Sequence, residues 1–122
     1  MNEPITLIEK VVILFLMDSL NTENVYAERP VELPEEYYIV ERTGKSEENQ
    51  IQSATVVVQS ISSVSLLRAA EMDHVMEGAM KYLITVPNVS RCKLNTSYNF
   101  TDEESKQYRY QAVFDITYME GA

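Results

Sequence analysis

The chain has 122 residues, with 19 Asp and Glu against 10 Lys and Arg, and a formal net charge of −9. A chain of this length forms one domain, 1–122, and buries roughly two-thirds of its unfolded surface, so one core suffices without metal or disulfide. An apolar fraction of 45% and a charged fraction of 24% exclude wholesale disorder.

The first predicted element is a helix from Glu3 to Leu20. Pro4 suits its first turn, where a missing N–H costs nothing. Ile5, Ile8, Val12, Phe15 and Leu16 follow helical spacing, but Val11, Ile13, Leu14 and Met17 add apolar surface on other faces. Such a helix is either central to the core or buried against a partner subunit. The same run, Val11–Met17, has seven residues, far short of the ~20 that span a bilayer. Glu3 and Glu9 stand where a signal peptide needs positive charge, so a soluble cytoplasmic protein is the default. Three Asn-x-Ser/Thr matches, at Asn88, Asn95 and Asn99, are then chance.

Asn24–Glu28 predicts a short strand, and the Pro30 and Pro34 stretch a loop or sheet edge. Tyr37–Arg42 is rich in β formers. Thr43–Gln50 is polar and predicts a mobile hairpin connection. Ile51–Ile61, with Thr55-Val56-Val57-Val58 at its centre, predicts a central strand covered on both faces. Ser62 or Ser63 caps a second helix reaching Leu83, with an apolar stripe of Leu66, Ala69, Ala70, Met76, Met80 and Leu83 interrupted by Asp73. Pro87 and Asn88 end it.

In the last third, Cys92, Leu94, Thr96, Tyr98 and Phe100 alternate with polar residues. After a turn containing Asp102-Glu103-Glu104, a strand alternates Tyr108, Tyr110, Ala112, Phe114, Ile116 and Tyr118 against Arg109 to Thr117. Period two on both sides of a short polar loop predicts an antiparallel hairpin. The whole is an α+β fold of order α-β-β-β-α-β-β, a mainly antiparallel sheet of four to five strands with two helices packed on one face.

The acidic balance argues against specific nucleic-acid binding, which needs clustered Lys and Arg. A single cysteine, Cys92, excludes a disulfide framework, and a single histidine, His74, excludes multi-His metal sites. Glu71, His74 and Glu77 are three apart on the second helix, half of a di-iron pattern whose second copy the chain lacks. They are expected to be a solvated face. Cys92 on an apolar strand face is expected to be structural rather than a nucleophile using His74. With only Gly44, Gly78 and Gly121, neither a P-loop nor a dinucleotide fingerprint exists. No catalytic constellation, metal site or cofactor is expected. Tyr108, Tyr110 and Tyr118 fit core packing or a protein interface, because a single-strand nucleic-acid platform needs basic residues among its aromatics.

The stretch Gln107–Tyr118 resembles the C-terminal strand of small tail-completion, tail-terminator and minor capsid proteins of long-tailed phages and prophages. Ser53–Ser60 followed by a helix through Arg68-Ala69-Ala70 is similar too, as is an N-terminal helix leading to Pro30 and Pro34. The resemblance covers most of the chain in layout. It implies a non-enzymatic virion structural protein without cofactor that forms a ring, hexameric in related tail terminators. Its implied partners are further copies of itself, tail-tube proteins and head–tail connectors, and its implied location is the virion tail or neck, or the host cytoplasm during assembly. DNA passes through such a ring without being bound. The alternative is a small acidic chaperone or adaptor that holds a hydrophobic segment of a partner.

The resemblance gives the charge a use, since acidic groups around a lumen repel phosphates. Glu47 and Glu48, or Asp102, Glu103 and Glu104, are candidates to face the lumen or tube end, with exposed hairpin tips as the plain alternative. Val11, Leu14, Met17, Tyr108 and Tyr110 are candidate subunit contacts. Residues 1–50 hold 11 acids and 4 bases, so most of the net charge lies in the first half.

Overall fold

A computed structural model describes residues 7–102, 104 and 107–120. Its elements are α1 (Ile8–Leu20), β1 (Val25–Tyr26), β2 (Glu36–Glu48), β3 (Ile51–Ser62), α2 (Leu66–Met80), a 3-10 turn (Leu83–Thr85), β4 (Val89–Asn99) and β5 (Tyr108–Met119). The strands form one sheet in the order β1-β2-β3-β5-β4. All pairs are antiparallel except β1 with β2. The α+β expectation and its element order therefore hold, with one parallel pair added.

Both helices pack on one face of the sheet. Ile8, Val12 and Leu16 of α1 and Met72, Met76 and Met80 of α2 share a core with Val40, Val56, Val58, Ala112, Phe114, Ile116 and Tyr118. Their 3.6- and 2-residue periods bring these side chains together. Pro4 and Ile5 lie outside the described residues. The chain leaves α1 through Asn21, whose left-handed φ of 51° lets the Thr22 N–H reach back to the Met17 carbonyl.

Five expectations change, the last of them on β3. The polar run 43–50 is not a mobile connection: β2 continues to Glu48, and only Asn49 and Gln50 turn the chain. Both have positive φ, 53° and 69°, which is the primed two-residue turn whose twist matches the strands it joins. The cap of α2 is not Ser62 or Ser63 but Ser65, whose Oγ accepts from the Arg68 N–H at 3.0 Å. Ser62 is instead the buried last residue of β3. The helical stripe ends at Met80, and its buried members are Ala69, Met72, Asp73, Met76 and Met80, while Leu66 is exposed.

The fourth change concerns β4. Its register skips a residue between Leu94 and Thr96. Cys92 and Leu94 stand beside Ile116 and Phe114 on the helix side, but Ser97 takes that side beside Ala112. A bulge inserts one residue and so exchanges the faces beyond it. Thr96, Tyr98 and Phe100 therefore do not continue the Cys92–Leu94 face. Gln111 Nε2 donates to the Tyr98 hydroxyl and Gln59 Nε2 to Gln111 Oε1 (2.8 Å), a polar chain across the bare face of the sheet. β3 is central as expected, yet this second face is only partly covered: Val57 and Ile61 are buried, Ser53 and Ile51 exposed.

Candidate functional site

The two acidic clusters lie at opposite ends of the sheet. Glu47 and Glu48 flank the β2–β3 turn, where Ile51 pairs with Met119. Asp102 and Glu104 lie in the β4–β5 connection, at the end where Ser62 pairs with Tyr108. Eleven steps of strand separate these ends, about 35 Å. Glu47 and Glu48 are exposed, and the Glu47 carboxylate also accepts from the buried Gln52 amide. The Asp102 carboxylate accepts from the Glu104 N–H at 3.1 Å, and Asp102 bridges Gln107. Glu103 lies outside the described residues.

The candidate contact residues divide. Val11 and Met17 are half-buried against the core, whereas Leu14 is 56% exposed and points away from it. Ile8, Val12 and Leu16 form the buried stripe of α1, Val11, Ile13, Phe15 and Met17 flank it half-buried, and Leu14 is left on the surface. Tyr108 and Tyr110 are half-buried, and Tyr110 stands between Ser60 and Asn99 on the helix side. Tyr118, on the same face of β5, is buried, and its hydroxyl has no hydrogen-bond partner among the described residues.

Glu71 and His74 are exposed and Glu77 half-buried on α2. No cluster of three His, Cys, Asp or Glu with metal-site geometry occurs among the described residues. Burial pushes the Cys92 thiol up to about 11, the reverse of what a nucleophile needs. No described helix is long and apolar enough to cross a membrane.

Sequence reasoning missed a buried polar contact between α2 and β4. Asp73 is 4% exposed, and its Oδ2 accepts from Ser97 Oγ at 2.8 Å. Burial and a side-chain hydrogen bond with Glu77 push the Asp73 carboxyl up, to about 7, against the lowering effect of Ser97. The interruption of the apolar stripe at Asp73 was its only signal. Its partner could not be foreseen, because the β4 bulge is what turns Ser97 inward.

A groove between α1 and α2 is lined by Leu20, Tyr38, Met72 and Val75, but also by Glu36 and Arg68. Glu36 Oε2 accepts from Arg68 Nε at 2.7 Å and from Ser62 Oγ at 3.0 Å. Burial raises the Tyr38 hydroxyl there to about 12. An ion pair across the groove makes it a poor receptacle for an apolar segment. A second, open depression of about 510 Å³ lies on the bare sheet face, with Arg91, Lys93 and Asp115 among the lining residues.

No family model and no curated protein matches the chain. Its fold is shared with a solved chain described as "Virion of native gene transfer agent (GTA) particle", at a TM-score of 0.65 and 17% identity, over 93% of this chain and 94% of that one.

Proposed function

We propose that the chain is a structural component of a phage-like virion, a tail terminator or head–tail joining protein that forms a ring at the end of the tail tube. The observation that carries this reading is the fold shared with the gene transfer agent virion chain over nearly the full length of both. At 17% identity the shared feature is the path of the backbone. The role is therefore argued from the match in size and layout together with the surface chemistry.

That chemistry favours assembly over catalysis. The lone thiol is held protonated by burial, and the buried carboxyl of Asp73 lies beside Glu77 of the same helix and is bonded by Ser97 of β4. In this reading the chain is not an enzyme, takes no cofactor, and works through copies of itself, the tail tube and the head–tail connector. Its charge of −9 keeps packaged DNA from adhering as it passes. Because the acidic clusters sit at opposite ends of the sheet, one of them at most meets the tube.

Deleting the gene in a host that produces the particles tests the role. Electron microscopy is expected to show filled heads and unjoined tails, with tails of irregular length if the chain terminates the tube. Normal joined particles in the deletion strain would refute it.

A further inference from the structure

Both outer edges of the sheet are open, and their free charges are opposite. β1 covers only Tyr38 and Ile39 of β2, which leaves Val40–Glu48 without a neighbouring strand among the described residues. β4 is the other edge along its whole length. The unpaired backbone groups of an edge strand are a template for another strand. Irregularities at Thr43, Ser90 and Asn95 break these edges and leave two regular runs, Gly44–Glu48 on β2 and Arg91–Leu94 on β4. Within the first run Lys45 is tied to Glu120, whereas Glu47 and Glu48 form no ion pair among the described residues. Arg91 and Lys93 of the second form none either, and Leu94 is 39% exposed.

The runs also stand at one height. Gly44, Thr55, Asp115 and Lys93 form one row across the sheet, and Ser46, Ser53, Thr117 and Arg91 form another. Since β2, β3, β5 and β4 alternate in direction, β4 of one copy meets β2 of the next antiparallel.

We propose that Gly44–Glu48 of one copy pairs with Arg91–Leu94 of the next, joining neighbouring sheets edge to edge. The occupant is a second copy of this chain because its own two edges complement each other. With Lys45 held by Glu120, the free charges of β2 against β2 are all acids, those of β4 against β4 all bases, and only β2 against β4 sets acid on base. The bulges that blunt both edges confine the pairing to four or five residues. A contact between two different surfaces propagates until it closes into a ring. The closure rests on the ring reading above; the contact itself does not.

The test uses two variants of the full chain, Arg91→Glu/Lys93→Glu and Glu47→Lys/Glu48→Lys, each first shown by circular dichroism to keep the native fold. Sedimentation velocity over a concentration series is expected to show each variant associating about ten-fold or more weakly than wild type, since like charges now meet at every junction. An equimolar mixture is expected to regain wild-type association, because every mixed junction again sets acid on base. Variants that assemble as well as wild type overturn the edge contact and leave the ring reading standing. A wild-type chain that stays monomeric throughout overturns the contact too, while the gene deletion still decides the virion role. Open filaments in place of rings support the contact and sink the closed ring. In a Cys92→Ser background, an intermolecular disulfide between Ser46→Cys and Lys93→Cys, which stand opposite each other when Glu48 faces Arg91, is expected in the assembled protein, and its failure to form there overturns the register.

Discussion

Asp73 is an ionisable side chain buried in the core. Its ordinary carboxyl value is 3.8, and burial beside Glu77 raises it to about 7 in the folded chain. The folded state thus holds the proton more tightly than the unfolded state. The contribution of Asp73 to stability is greatest below pH ~4, falls as pH rises through the window up to ~7, and is level above it. Asp73→Asn keeps an acceptor for Ser97 Oγ and adds a donor for Glu77 without the buried charge. At pH 8 it is expected to stabilise the fold, on the order of 2 kcal/mol, and to flatten the dependence between pH 4 and 7. Urea unfolding at both pH values checks this; a variant less stable at pH 8, or one keeping the wild-type slope, would refute it. At this scale the sequence was only partly legible. A lone Asp in an apolar stripe marks a special position, but what it meets depends on the register of another element.

The β2–β3 turn shows how local chemistry sets an element. Asn49 tolerates a left-handed backbone and Gln50 does so at a cost, yet the primed turn requires both. Gln50→Gly relieves that cost and is expected to raise stability by about 0.5–1 kcal/mol, read as a higher urea midpoint at unchanged slope. A lower midpoint would mean that the Gln50 side chain contributes a contact which the backbone argument ignores. The polar composition of 43–50 hid this ordered ladder, because edge strands facing water need no apolar alternation. The alternation of β5 was legible, since Ala112, Phe114, Ile116 and Tyr118 all face the helices. That of β4 was legible only as far as Leu94, because a bulge leaves no clear mark in composition.

At the scale of the whole molecule, the pattern of apolar periods sufficed for the α+β layout and the helices on one face. It could not give the sheet order, which inserts β5 between β3 and β4 and so leaves β2 and β4 as the two open edges. Those edges, with the separated acidic clusters and the exposed Leu14, are the features an assembling subunit would use. A net charge of −9 is then compatible with self-association, because Arg91 and Lys93 bring positive charge to one edge while the acids crowd the other. The central claim is that this chain is built into a phage-like particle. Quantitative mass spectrometry of gradient-purified particles from the producing host tests it most directly. The account predicts that the chain copurifies with the particles at a fixed copy number, a small multiple of the connector ring and far below the tail-tube protein. Its absence from intact particles, with the chain left in the host lysate, would contradict the account.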